Sequence, residues 1–173
     1  MSRLVEFYRG QARDTEGRRL EEIWAWDDDS LEAVHDFIQW LFPLPEPSAF
    51  NPDAPILRTE DIAAFRGDPL LQARLQRSFE RILRFLGLTL THDGKVIRGD
   101  NFAARAPDVW AAPNHNWLRI TRILRSLTLL GLETQARALY DRLSEMYSGR
   151  KYPIRGDTFC YWTAAVQSTL PRA

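Results

Sequence analysis

The sequence predicts an all-α domain arranged as a helical bundle around one central helix. Three observations carry this. Five longer segments place apolar residues at helical spacing, bounded by capping residues, prolines or glycines. The segment near 117–130 has apolar residues on both sides, as the middle helix of a bundle requires. Only Leu88 to Gly99 reads as a hairpin, with Asp93-Gly94 between two short alternating runs.

Residues 1–24 read as a short helix or coil followed by a charged helical stretch, Thr15 to Trp24, with Gly10 and Gly17 as interruptions. Asp27-Asp28-Asp29-Ser30 is an N-cap cluster that puts acidic charge at the positive end of a helix. That helix is predicted from Leu31 to about Leu41. Its core face is Leu31, Val34, Phe37, Ile38 and Leu41, bordered by His35 and Trp40, and Pro43 stops it. Residues 43–58 hold five prolines and form an extended strap, anchored by Leu44, Phe50, Ile56 and Leu57.

Thr59 is predicted to cap a short helix through Phe65. Asp68-Pro69 then starts a long helix that ends at Gly87. Leu71, Leu75, Phe79, Ile82, Leu83 and Leu86 form its core face, and Arg74, Arg77, Arg81 and Arg84 its opposite stripe. A short helix is expected around Ala104 to Trp110. Asn116 within Asn114-His115-Asn116 is a candidate cap for the central helix, and Gly131 closes it. Glu133 to Ser148 is amphipathic, with Gly149 and Pro153 beyond its end. Asp157 or Thr158 caps the last helix, which runs to about Thr169 with Phe159, Trp162 and Val166 inward.

A chain of 173 residues and 20.1 kDa fits a single domain spanning 1–173. The 23 basic and 23 acidic residues cancel, so no global field draws nucleic acid or an anionic membrane. Cys160 is the sole cysteine, which excludes an internal disulfide and a cysteine-cluster metal site; a partly buried structural thiol is expected. No leader pattern and no apolar run of about 20 residues is present, so a soluble cytoplasmic protein is expected.

The catalytic inventory is thin. The histidines are His35, His92 and His115, and no HExxH, phosphate-binding glycine loop or GxSxG occurs. An enzyme using His35 or His115 as acid or base is a third class, and it requires a cleft that holds one histidine with a second polar partner in reach. No cofactor and no metal is expected, and Asp27 to Asp29 lack the glycine and distal glutamate of a calcium loop. A helix N-terminus flanked by Arg119 and Arg122 suits an anion or a peptide carboxylate. In the competing reading, the two arginines pair internally with Asp36, the 27–29 aspartates or Asp53. The arginine stripe suits nucleic acid or another acidic partner, or is a solvated face. The proline-rich segment with Trp40 and Phe42 forms an aromatic peptide groove, or a strap that closes the core.

HDFIQWLFPLPEPS (His35 to Ser48) with NPDAP (Asn51 to Pro55), HNWLRITRILRSLTLLGLE (His115 to Glu133) and DTFCYWTAAV (Asp157 to Val166) resemble the opioid growth factor receptor family. The resemblance runs from about Trp24 to Val166. It implies this family's shared domain, unrelated to the seven-helix opioid receptors. The family's vertebrate member is described as a nucleus-associated receptor for the pentapeptide Met-enkephalin, linked to growth control, with a long repetitive C-terminal region. The compact, arginine-rich chain looks like a bacterial domain-only relative, for which an enkephalin ligand is not expected. The resemblance carries over no catalytic residue. Together the readings predict a non-enzymatic binding module for a peptide or small anionic ligand. Gln39, Trp40, Asn116, Arg119 and Arg122 form its expected site, where the first long helix approaches the start of the central one. The alternative is nucleic-acid or acidic-partner binding through Arg74, Arg77, Arg81 and Arg84.

Overall fold

Short helices and tight side-chain caps dominate the N-terminal part of the chain. The computed structural model describes residues 2–49 and 51–168. These form two compact units, divided between Ser78 and Phe79.

In the first unit, helix α1 (Arg3–Tyr8) is capped by Ser2, whose hydroxyl accepts from Val5 N at 3.3 Å. It buries Leu4, Val5, Phe7 and Tyr8. Helix α2 (Leu20–Trp24) starts later than the expected Thr15. The buried carboxylate of Asp14 explains the delay. It accepts from Glu16 N at 3.0 Å, Arg18 N at 2.8 Å and Arg18 Nε at 2.6 Å, which closes residues 14–18 into a turn.

The helix expected from Leu31 to Leu41 is two helices, α3 (Asp28–Ala33) and α4 (Ile38–Leu41). Asp27 caps α3, accepting from Ser30 N at 2.8 Å. Val34 then turns extended, at φ −93° and ψ 133°. The break has a packing reason. Helix α3 buries only Leu31 whereas α4 buries all of its residues, and the extended Val34 lets the two segments pack differently.

The strap after Pro43 turns back on itself through a parallel bridge between Leu44 and Ile56, with Leu57 N donating to Leu44 O at 3.0 Å. Leu57 is buried, whereas Ile56 is exposed rather than anchoring. Phe50 lies outside the described residues. Helix α5 (Thr59–Gly67) packs on α1. Its cap position is Arg58, not Thr59, because Asp61 bonds back to Arg58 N at 3.1 Å and also accepts from the Ser2 hydroxyl. Helix α6 (Pro69–Phe85) starts at the expected proline, with Asp68 accepting from Leu70 N at 2.9 Å. All six predicted core positions of α6 are buried.

The second unit opens with the end of α6 and a hairpin of strands β1 (Leu88–Leu90) and β2 (Val96–Arg98), paired antiparallel with Thr89 opposite Ile97. Gly87 leads into it at φ +76°. Helix α7 (Phe102–Val109) begins two residues before the expected start and contains Pro107. Helix α8 (His115–Leu130) ends at Gly131, which takes the left-handed cap at φ +97°. Helix α9 (Glu133–Ser148) has the expected bounds, but Arg150 rather than Gly149 adopts the left-handed conformation after it, at φ +51°. Helix α10 (Gly156–Val166) has Asp157 and Thr158 inside its first turn, with Arg155 at the cap position.

Within this unit α8 packs against both α9 and α10, α9 packs against α10, and β2 lies on α9. Trp162 is fully buried and Phe159 half-buried, stacked on Tyr147 at 4.3 Å. Leu118 is an exception to the enclosed face of α8, at 67% exposure. Cys160 is exposed, not partly buried as expected, because it lies on the outer side of α10 beside Tyr161. The predicted end at Thr169 lies outside the described residues. No helix among the described residues is long and apolar enough to cross a membrane.

Candidate ligand-binding site

The start of α8 is built by asparagines. Asn114, not Asn116, is the cap: its Oδ1 accepts from Asn116 N at 2.9 Å, and its Nδ2 donates to Val109 O at 3.0 Å and Ala112 O at 2.9 Å. Asn116 is therefore the second residue of the helix's first turn, and it is fully buried. Its Oδ1 accepts from the Arg119 guanidinium at 3.1 Å. Arg119 is 7% exposed, and its guanidinium lies 5.9 Å from the centre of the Phe85 ring. Arg122 is half-buried on the same helix.

A second guanidinium reaches the same ring. Arg105 of α7, 8% exposed, lies 4.7 Å from the Phe85 ring centre. Its Nε donates to Phe85 O at 2.8 Å and its Nη1 to Asp108 at 3.2 Å. Sequence reasoning missed Arg105, because a lone arginine in an alanine-rich stretch of weak periodicity gives no sign of burial. The ring of Phe85 was hidden for a related reason: it stands one position from the core residue Leu86 and looks like ordinary core.

Gln39 and Trp40 belong to the first unit, on α4, at 6% and 2% exposure. Trp40 meets the edge of Phe7 at 5.1 Å, and the Arg3 guanidinium lies 5.7 Å from its ring. Gln39 Oε1 and Trp40 Nε1 are buried and find no hydrogen-bond partner among the described residues. Asp36, one of the internal carboxylates considered for the central-helix arginines, bridges to Arg18 at 2.8 Å. Burial works against the charge of Arg18, but bonds to Asp36 and Asp14 outweigh it and raise its pKa above the ordinary arginine range.

The arginine stripe divides by use. Arg74 pairs with Glu21 and lies 5.1 Å from the Trp24 ring, and Arg77 lies 4.5 Å from the same ring. Arg84 is exposed and 3.4 Å from Asp100, while Arg81 is half-buried. His35 and His92 are exposed and His115 half-buried. No group of three histidine, cysteine or acidic side chains among the described residues is arranged to hold a metal.

Two hollows lie in the second unit. One of about 590 Å³ runs between β2 and α9, beside Val96, Ile97, Arg137, Asp141 and Arg142. The other, about 550 Å³, lies beside β1, Glu80, Arg84 and Asn101. Neither is lined by the five residues expected to bind.

Among the described residues, the helices and one two-stranded hairpin define an all-α fold with one short ribbon. The sequence pattern of the opioid growth factor receptor conserved region matches residues 4–173, and the chain belongs to that family. It is 38% identical over 172 residues to the opioid growth factor receptor of Homo sapiens, covering 94% of this chain and 25% of that protein. The Mus musculus protein of the same name is 37% identical over 171 residues, covering 94% of this chain and 27% of the relative. Opioid growth factor receptor-like protein 1 of Mus musculus is 37% identical over 135 residues, or 75% of this chain and 29% of the relative. The chain thus spans about a quarter of the length of these curated relatives. No solved structure matches it.

Proposed function

We propose that the chain is a non-enzymatic binding module whose ligand is a peptide or a small anion. The observation that carries this reading is the meeting of two buried guanidinium groups, Arg105 and Arg119, on the ring of Phe85. Arg105 already bridges Asp108 at 3.2 Å, and two guanidinium groups on one ring offer N–H donors that a ligand anion would share with these internal partners. A carboxylate or phosphate accepts paired N–H bonds from guanidinium forks. Asn116 orients Arg119, and Arg122 adds charge on the same helix.

Within the first unit, Gln39 and Trp40 offer a separate pair of groups that suits a peptide. Gln39 Oε1 is an acceptor and Trp40 Nε1 a donor. A peptide group supplies the complementary N–H and C=O. The word receptor in the names of the relatives points to the same class of activity.

The test is thermal unfolding of the chain with inorganic phosphate, and with short peptides carrying either a free or an amidated C-terminus. A ligand at one hundred times its Kd adds about 2.7 kcal/mol of stability. The expected result is a saturable rise in Tm with phosphate or with the free carboxylate, smaller with the amide. Arg119→Lys keeps the charge but loses the fork, and weakens the effect by roughly tenfold. No shift with any of these at millimolar concentration overturns the reading.

A further inference from the structure

Neutrality of the whole chain conceals a strong division of charge. Residues 1–78 hold nine basic and fifteen acidic residues, whereas residues 79–170 hold thirteen basic and eight acidic. Four of the thirteen cations of the second unit lie on the α9–α10 connection and at the end of β2. Arg150, Lys151, Pro153 and Arg155 are all exposed on that connection. Arg98, exposed at the end of β2, lies 4.6 Å from the ring of Phe102. Phe102 in turn stands 6.2 Å from Tyr152, the residue after Lys151. Aromatic contacts therefore tie the hairpin cation to the cations of the connection. Arg98, Arg150 and Lys151 have no carboxylate in bridging range among the described residues. Arg155 has Asp157 at 3.5 Å, with both side chains largely in solvent. Asp100 is the nearby acid on the hairpin side, at 3.4 Å from Arg84.

We propose that Arg98, Arg150, Lys151 and Arg155 form a docking surface for an acidic, aspartate- and glutamate-rich peptide segment of a partner protein. Charge complementarity names the sign of the partner, and three observations favour a peptide over nucleic acid. The cluster is short: three of its four cations fall within six residues of chain. It has no exposed aromatic face for a base to stack on, since Phe102 is 8% exposed and Tyr152 half-buried. A long phosphate backbone also runs beyond the patch, which is confined to the α9–α10 connection and the end of β2. A short acidic peptide needs only local attraction, which acts within about 8 Å at physiological salt. This surface uses none of the residues gathered on Phe85, so it stands independently of the proposed ligand site.

The experiment is fluorescence anisotropy of a labelled ten-residue Glu/Asp peptide titrated with the full chain, at several salt concentrations. Saturable binding that weakens with salt is expected. The double charge reversal R150E/K151E should weaken it by roughly tenfold or more, because rim charges govern steering and pairing. Both positions are exposed, so the unfolding temperature of that variant should match the parent. Arg19→Glu, an exposed reversal in the first unit, should leave binding within roughly twofold. Four results overturn the proposal. These are no binding at low salt, binding indifferent to R150E/K151E, tighter binding of an oligonucleotide of equal charge, and self-association of the chain that R150E/K151E abolishes.

Discussion

Trp162 donates its indole N–H to the carbonyl of Trp117 at 3.2 Å, and the two rings meet edge to face 6.2 Å apart. The bond joins α10 to the first turn of α8 in the same unit that holds Arg119. Trp162 is fully buried, so Trp162→Ala leaves a large cavity and should cost about 3–5 kcal/mol. Trp162→Phe keeps most of the volume and loses the bond, at about 1 kcal/mol beyond the smaller ring. Urea unfolding followed by circular dichroism separates the two. Equal losses in both variants would show that the indole N–H, rather than its bulk, dominates.

Tyr8 predicts an alkaline weakness. Burial raises its phenol pKa above the ordinary range, against the opposing effects of the bond to Ser78 and the charge of Arg74. Its hydroxyl donates to Leu41 O at 2.5 Å and lies 3.2 Å from Ser78 Oγ, which also accepts from Trp24 Nε1 at 2.9 Å. A raised folded-state pKa means that the stability is fully present below the unfolded value of 10.0. It is lost as the pH climbs from there towards the folded value, by about 1.4 kcal/mol per pH unit. Tyr8→Phe should remove that slope while costing about 1 kcal/mol at neutral pH. Stability measured across the alkaline range in both proteins is the check. A slope that survives the substitution would place its source elsewhere.

Much of the fold was legible where one face of one helix does the packing. The stripe through Leu71, Leu75 and Phe79, and the caps at Asp68-Pro69 and Gly131, produce α6 and the end of α8 as read from the sequence. Legibility failed where two arrangements share a pattern. Leu31, Val34, Phe37 and Leu41 fit a continuous helix, and periodicity carries no mark of the extended Val34 that splits it. Asn114 and Asn116 are chemically the same cap, and only the backbone decides which one bonds the free N–H groups. The candidate site was legible in part. Asn116 and Arg119 announced themselves as polar residues on an apolar helix. Arg105 did not, because its burial depends on α7 folding against Phe85.

Gly87 carries two constraints at once. It sits at φ +76°, and an added Cβ would meet the Phe102 backbone at 3.0 Å and the Arg105 side chain at 3.2 Å. Gly94 has a similar φ of +79° but open space around its would-be Cβ. Gly94→Ala therefore tests backbone strain alone, at about 1 kcal/mol, and Gly87→Ala should cost clearly more. Because Phe102 and Arg105 would have to shift, Gly87→Ala should also weaken phosphate or peptide binding in the thermal assay. Equal costs in the two variants would remove the steric argument.

Arg74 gives the acid-side counterpart. Burial raises the pKa of the Glu21 carboxyl, but the bond from Arg74 outweighs it, and the net effect is a carboxylate held below its ordinary value. The same guanidinium lies 5.1 Å from the ring of Trp24, where Arg77 also rests. A depressed folded-state pKa stabilises the fold above the unfolded value of 4.5, and that contribution is lost as the pH falls through the folded value. Glu21 is half-exposed, so solvent screens the pair and the effect on total stability is modest. Arg74→Met keeps the apolar stem over Trp24 and removes the charge. Its unfolding temperature should fall relative to the parent at neutral pH, and the gap should close as the pH falls below the unfolded value of 4.5 and through the lower folded value. Arg74→Ala should fall further at every pH, since the stem and its contact with Trp24 are lost as well. A pH-independent gap between parent and Arg74→Met would assign the stabilisation to packing on Trp24 and take the ion pair out of the account.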